Sequence, residues 1–298
     1  MVRRGQGPWP ASNVNHDVQS WLMQRMEMFG EERELRSIIR LMLDKSSGMS
    51  RSERLMLPWL ASESQLDQLA VWADRFMEGE PIQYILSSAS FMGLELQADA
   101  RGLIPRPETE ELVRLLLNET QEKGPCNVLD LGTGSGCMAL AWQHARPDDG
   151  VMACDVSDAA LALAQENAAH FGLVQIDWVL HDLINGSPMP DWSFDVLMSN
   201  PPYIPQLEKE EMEMRVTRHE PELALFVPDE EPLLFYKTIG ARAVSEGWLR
   251  SGGLLGFECH RDFSHAVAAW LEDSGEWENI RVEQDMQNAP RMVLATRR

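Results

Sequence analysis

The chain has 298 residues, 44% hydrophobic and 24% charged, which is ordinary globular usage and enough apolar material for two domains. Its formal charge is −21 and its pI about 4.7, so phosphate backbones are repelled unless positive charge is sharply localised. That disfavours broad nucleic-acid binding, leaves room for a basic protein partner, and goes with the lack of any apolar run approaching the roughly 18 residues of a membrane span.

Residues 1–16, MVRRGQGPWPASNVNH, have no apolar signal-peptide core and are expected to form a short disordered leader. Residues 17–88 carry a helical period: in VQSWLMQRMEMF, Val18, Leu22, Met26 and Phe29 recur at spacings of three and four. LRSIIRLMLDK and SQLDQLAVWADRFM repeat the pattern, with polar breaks around Ser46–Ser52 and Leu57–Ser62, so a small helical domain is predicted. Residues 89–106 change texture. Two strand-like runs, Ser90–Leu96 and Gly102–Ile104, flank a turn-prone Ala-Asp-Ala, which predicts a β-hairpin linker closed by Pro105 and Pro107.

From 107 to 298 helix-like and strand-like stretches alternate. Helical period resumes over Glu108–Thr120, and NVLDLG, VMACDV, IDWVLHDL, FDVLMSN and GGLLGFEC read as strands with helices between them. Ser157 is a predicted N-cap, and NIRVEQD with RMVLATRR forms a final strand pair. Such alternation predicts an α/β fold, a mostly parallel, doubly wound Rossmann-like sheet with an antiparallel hairpin at its C-terminal edge. Ligands of these sheets lie at the carboxyl ends of the strands. The four cysteines (Cys126, Cys137, Cys154 and Cys259) form no CxxC pair and no Cys/His cluster, so no metal is expected, the thiols are read as buried fillers, and the location is read as a reducing cytoplasm.

Three strand ends carry candidate chemistry. Gly132, Gly134 and Gly136 form a G-x-G-x-G turn between a strand and a helix, where the backbone can approach a ligand closely and helix N–H groups are free. A phosphate-binding Walker loop fails because no Gly-Lys-Ser/Thr follows, and the dinucleotide spacing fails by one residue. Asp155 ends the next strand, where ribose hydroxyls lie in nucleotide-binding sheets, and Asp182 ends the third, within reach of a base edge. Together they point to an adenosine-type cofactor. An Asp-Leu-Gly-Thr-Gly-Ser-Gly loop with acidic strand ends resembles the S-adenosylmethionine-dependent methyltransferases. That resemblance implies a class I methyltransferase sheet of seven strands, with the methionine part over Gly132, Thr133, Gly134, Ser135 and Gly136 and the ribose on Asp155.

The stretch SNPPYIP adds the acceptor side. The two prolines end a strand because neither donates a ladder hydrogen bond. Asn200 brings an amide oxygen, Pro201 a rigidly held carbonyl, and with Pro202 and Tyr203 they form the substrate-binding candidates. Two acceptors can grip both hydrogens of a planar NH2 group while Tyr203 stacks on its face. Such a grip raises electron density on a delocalised, weakly nucleophilic nitrogen and aims it; no strong base is needed. Asn200, Pro201 and Tyr203 are therefore the catalytic candidates.

This motif occurs in enzymes acting on adenine or guanine amino groups and in enzymes acting on glutamine side chains. Nucleic-acid members need basic surface, whereas Lys209, Arg215 and Arg218 here are interleaved with Glu208, Glu210, Glu211 and Glu213. GEPIQYIL, FMGLELQADARGLIPRPETEELV, VLDLGTGSGCMALA, CDVSDAALALAQENA, SNPPYIP, EPELALF and QDMQNAPRMVLA resemble the peptide chain release factor glutamine N5-methyltransferases. The resemblance runs from about residue 17 to the end. Its most discriminating piece is Ile104–Thr109, since sister enzymes acting on a ribosomal protein's glutamine differ after the Pro-Arg. It implies S-adenosylmethionine as cofactor, and as substrate the glutamine of the Gly-Gly-Gln loop in bacterial class I release factors. The helical domain is then expected to recognise that partner, with no nucleic acid, no membrane and a monomeric enzyme. The alternatives are a ribosomal-protein glutamine methyltransferase and an RNA or DNA amino-group (N6-adenine or N2-guanine) methyltransferase.

Some positions depart from the family. Leu183, a candidate adenine contact, stands where an aromatic is frequent; FECHRD replaces a Glu-Ile-Gly type of stretch, and DEEPLLFY a glycine-richer one. Arg106 is a candidate for binding a cofactor or substrate carboxylate, or for pairing with a strand-end acid. His260-Arg261-Asp262 matches a kinase catalytic loop in letters only, since the other kinase motifs are missing.

Overall fold

The computed structural model describes residues 9–186 and 192–298. The chain divides into two compact units, Met1–Ser88 and Ala89–Arg298. Residues 1–8 of the expected leader lie outside the described residues, and its last two residues already belong to the first helix.

The first unit is helical: α1 (Asn15–Met26), α2 (Glu32–Ser47), α3 (Arg51–Met56), α4 (Glu63–Met77) and α5 (Ile82–Leu86). Local chemistry sets these boundaries. Ser50 with Glu53, and Ser62 with Gln65, form reciprocal capping boxes at the starts of α3 and α4, and Gly48 closes α2 in a left-handed conformation. In α2, Leu35, Ile38, Ile39, Met42 and Leu43 make one apolar stripe that packs with Val18, Leu22 and Met26 of α1 and with Leu69, Ala73 and Phe76 of α4. Phe29, expected on the α1 stripe, lies beyond the helix end and is 45% exposed.

The second unit opens with a hairpin, β1 (Ala89–Phe91) and β2 (Leu94–Leu96), followed by α6 (Pro107–Glu119). This corrects the expected pairing of Ser90–Leu96 with Gly102–Ile104. The turn falls at Met92-Gly93, both with positive φ (47° and 85°), so the first run folds back on itself. Asp99–Gly102 makes a second turn, in which Gly102 N donates to the Asp99 carbonyl and the Asp99 carboxylate accepts from Arg101 N.

The remaining elements are β3 (Asn127–Leu131), α7 (Cys137–Ala145), β4 (Gly150–Asp155), α8 (Asp158–Phe171), β5 (Asp177–Leu180), β6 (Phe194–Ser199), β7 (Ile204–Pro205), α9 (Met214–His219), β8 (Phe226–Val227), α10 (Leu234–Ser245), β9 (Leu249–Glu258), α11 (Ser264–Ser274), β10 (Trp277–Gln284) and β11 (Pro290–Arg297). Seven strands form one sheet in the order β10-β11-β9-β6-β3-β4-β5. β9, β6, β3, β4 and β5 are parallel; β11 and β10 run antiparallel at one edge, as the sequence predicts. The central strands are buried, with one apolar cluster on each face: Leu112, Leu116 and Trp142 against Val128 and Val196, and Tyr236, Ile239 and Val267 against Leu129 and Leu197.

The chain steps outward from β3 through β4 to β5, then returns to place β6 on the other side of β3. The crevice between the carboxyl ends of β3 and β6 is thus the switch point at which open α/β sheets bind ligands. Gly136 closes the turn there, with φ 82° and an added Cβ only 2.9 Å from Ala164 Cβ. Gly136→Ala is expected to lower unfolding free energy by about 1–3 kcal/mol, the sum of a left-handed penalty and a core clash. Urea denaturation checks this.

Candidate active site

Register brings three strand ends together. Leu131 lies opposite Ser199, and Ser199 opposite Phe257, so Gly132, Asn200 and Glu258 follow at one edge of the sheet. Ser199 Oγ donates to the Leu131 carbonyl at 2.6 Å, tying β6 to β3 at that edge.

A cavity of about 330 Å³ opens here, lined by Gly132 and Gly134, by Asp155, Val156 and Ser157, by His181–Asn185, and by Asn200, Pro202, Pro221, Leu223, Ala224 and Phe235. Gly132 and Gly134 have positive φ (75° and 56°), and a Cβ added to either would meet nothing within 4 Å. The loop therefore presents bare backbone. Asp155 Oδ2 accepts from Gly134 N at 2.8 Å and Oδ1 from Ser157 N at 2.9 Å, which fixes the carboxylate and leaves lone pairs for further donors. Burial pushes the pKa of Asp155 up, against the pull of those N–H groups.

Asp182 lies two residues past the end of β5, not on it. Its Oδ1 accepts from Ile184 N and Asn185 N at 2.8 and 2.9 Å, and these bonds hold its pKa below the usual range. Its first task is to shape the loop that brings Leu183 and Ile184 to the cavity wall. His181 adds an imidazole on that wall. Burial, then Arg242, push its pKa down, and its Nε2 has no partner among the described residues.

Not every expected residue lines the cavity. Thr133 Oγ1 donates to Asp130 at 2.6 Å, the Ser135 carbonyl accepts from Asn167, and Gly136 N-caps α7; these three build the loop from behind. Arg106 is committed to Glu220 at 2.7 Å, and Glu220 also accepts from Ile104 N at 3.2 Å. Glu220 is buried, so the pair clamps the segment before α6 to the start of the Pro221–Ala224 wall. Of the two readings of Arg106, the structure favours the structural one, with a loop acid in place of a strand-end acid.

The NPPY segment is held by a chain of donors that sequence reading missed. Asn200 Nδ2 donates to Thr109 Oγ1 at 3.1 Å, and Thr109 Oγ1 donates to Glu258 Oε2 at 2.5 Å. Tyr203 Oη donates to Glu258 Oε1 at 3.2 Å. Glu258 is fully buried, and burial raises its pKa against the two donors. Because a carboxylate only accepts, the Thr109 hydroxyl points at Glu258 and must in turn accept from Asn200. The Asn200 amide is thereby oriented, with no hydrogen bond to Oδ1 among the described residues. Tyr203, expected to stack on a substrate, packs its ring beside the core cluster of β9 and α10, 6.1 Å from the His260 ring; Pro202 lines the cavity instead. The signal for Thr109 was present in IPRPETE, but nothing in FECHRD marks Glu258 as its partner.

The other conspicuous residues are structural. His260 Nε2 lies 3.3 Å from Glu208. None of the four cysteines is in a disulfide, and burial pushes the Cys137 thiol up to about 12, far from a nucleophilic thiolate. Among the described residues no group of three or more His, Cys, Asp or Glu side chains is placed to hold a metal, and no helix is long and apolar enough to cross a membrane.

The site suits an S-adenosylmethionine-type molecule: a bare glycine cradle, a carboxylate with lone pairs to spare, and an apolar wall at Leu183 and Ile184. Fold and site define a class I methyltransferase. The Methyltransferase small domain family matches residues 107–219, and the PrmC N-terminal domain family matches residues 17–86. A release factor glutamine methyltransferase from Flavobacterium psychrophilum is 34% identical over 91% of this chain and 95% of its own. Another from Bacteroides thetaiotaomicron is 39% identical over 75% of this chain and 78% of its own. The hMettl16 catalytic domain, 18% identical, shares the fold with a TM-score of 0.54 over 78% of this chain and 80% of that one. The chain belongs to the release factor glutamine methyltransferase family.

Asp130, behind the glycine loop, gives a pH-dependent signature. It is fully buried, its Oδ1 lacks a partner among the described residues, and burial raises its pKa from 3.8 to about 7. The folded protein keeps this proton where the unfolded chain has lost it. Its stabilising contribution is complete below pH 3.8 and lost as pH rises through about 7. Between those values unfolding free energy should fall by about 1.4 kcal/mol per pH unit from this group. Asp130→Asn should flatten that slope, as read from urea midpoints at several pH values.

Proposed function

We propose that this enzyme transfers a methyl group from S-adenosylmethionine to the side-chain amide nitrogen of a glutamine in a bacterial peptide chain release factor, the Gly-Gly-Gln glutamine of the class I factors. The observation that carries the reading is the oriented Asn200 at the switch point, beside the cavity and in a chain of this family. Bound there, S-adenosylmethionine supplies an electrophilic sulfonium methyl. Gly132 and Gly134 give close backbone approach to its methionine part. Asp155 accepts from ribose hydroxyls, and Leu183 with Ile184 covers the base.

Asn200 Oδ1 and the Pro201 carbonyl accept the two hydrogens of the glutamine NH2. This fixes its plane and raises electron density on nitrogen, while Pro202, Pro221 and Leu223 keep water away. Thr109 and Glu258 hold Asn200 in the one amide orientation that presents an acceptor. Tyr203 fixes the backbone of the motif through Glu258 and does not itself stack on the substrate. Helical residues 17–88 serve partner recognition, and a reaction on a translation factor belongs in the cytoplasm.

The direct test incubates the enzyme with methyl-labelled S-adenosylmethionine and, in parallel, a release factor, a ribosomal-protein mixture and RNA. Label is expected on the release factor and should vanish when its Gly-Gly-Gln glutamine is changed to Ala; label on RNA alone would overturn the reading. Asn200→Ala should leave cofactor affinity within about twofold while transfer falls by two or more orders of magnitude, in line with the loss of an oriented polar group. Calorimetric titration and the transfer assay separate the two effects.

Thr109→Val removes the link that orients Asn200 but keeps its volume. The expected result is a kcat lower by about tenfold to a hundredfold with little change in KM for cofactor, the signature of lost positioning. Thr109→Ser, which keeps the hydroxyl, should retain most activity.

A further inference from the structure

The helical unit holds a second cavity, of about 310 Å³, that the methyl-transfer chemistry does not use. Five of the chain's 26 lysines and arginines line it: Arg33, Arg36 and Arg40 from α2, and Arg51 and Arg54 from α3. Spacings of three and four put each set on one helix face. No acidic residue is among the described residues that line it, although the chain has 47 aspartates and glutamates.

Two of these charges are already matched. Arg36 pairs with Glu32 at 2.5 Å, and buried Arg54 is held by Asp44 and by the Met49 carbonyl. Arg33, Arg40 and Arg51 are exposed and have no ion-pair partner among the described residues. Three unmatched guanidinium groups on one cavity repel one another, and in so acidic a chain their shared location is a local reversal of field. The cavity is large enough for one or two side chains, beyond a single small ion.

The rim adds a second property. Leu55 lines the cavity and is 72% exposed, and next to it on α3 Met56 is 74% exposed. Arginine and methionine are both enriched at protein–protein interfaces. A single-stranded nucleic-acid site would pair its cations with aromatic rings for base stacking, and no aromatic residue is among the described residues lining this cavity.

We propose that this cavity is a docking site for a carboxylate-bearing segment of the protein substrate, one that also presents an apolar side chain to Leu55 and Met56. The inference rests on the functional reading above, that the substrate is an intact release factor. Bidentate Arg–carboxylate contacts would give the encounter a direction on an otherwise repelling surface. The site would tell an intact factor from any other exposed glutamine.

The test compares wild type with the triple variant R33E/R40E/R51E, all three exposed positions outside the catalytic unit. At low salt the variant should bind an intact release factor at least tenfold more weakly, measured by interferometry without turnover. Its KM for that factor should rise similarly, with kcat and the methylation of a short Gly-Gly-Gln peptide unchanged. Raising salt should weaken wild-type binding and leave the variant's no weaker, since screening relieves the repulsion between its glutamates and the partner's carboxylates. Equal binding by the two proteins overturns the proposal, as does wild-type RNA binding that the variant loses. Wild type that binds the factor through these arginines but methylates neither substrate would uphold the docking site and sink the functional reading instead. R33K/R40K/R51K, which keeps the charge and loses the bidentate fork, should bind more tightly than R33E/R40E/R51E and more weakly than wild type, which separates charge from fold.

Discussion

The site depends on one register. β6 pairs with β3 so that Ser199 faces Leu131, and β9 pairs with β6 so that Phe257 faces Ser199. A slip of one residue in either pairing would turn every inward side chain of a buried strand outward, so the register is held by the whole core. Its consequence is local: a glycine, an asparagine and a glutamate emerge side by side from three strands far apart in sequence. The glycine and the asparagine line the cavity, and the buried glutamate holds the asparagine through Thr109.

Buried carboxylates are the fold's main polar connectors. Glu258 joins Thr109 and Tyr203, Glu220 joins Arg106 and Ile104, and Asp149 joins Trp142, Arg146 and Cys126. Each carries a desolvation cost offset only by well-placed donors, so each fixes the direction in which its partners point. At the edge where Asn200 emerges, an acceptor-only group at the end of a hydroxyl relay leaves one orientation for its amide. Asp130 differs in having one oxygen unpartnered among the described residues, and it holds its proton to about pH 7.

Charge is organised on two scales. A formal charge of −21 sets a repulsive background for phosphate-rich partners. Arg33, Arg40 and Arg51 of α2 and α3 stand out from it, while Arg106 is tied to Glu220 and Lys209 to Glu222. Composition reports the background and hides the local exception.

Much was legible from the residues alone. Alternating apolar stretches gave the α/β sheet and its antiparallel edge, and periodic Leu and Ile gave the helical unit. Glycines at a strand-to-helix turn, with Asp155 and NPPY at further strand ends, located one edge of the sheet. These signals are local: period, turn chemistry and punctuation are written within a few residues. The hairpin turn at Met92-Gly93 was missed because a non-glycine residue takes a left-handed conformation there, which no local preference announces. Only the tertiary structure could decide that Arg106 serves Glu220, that Tyr203 faces inward, and that Thr109 and Glu258, 149 positions apart, orient Asn200. Those outcomes follow from which buried donor finds which buried acceptor, and that is settled by packing across the sheet.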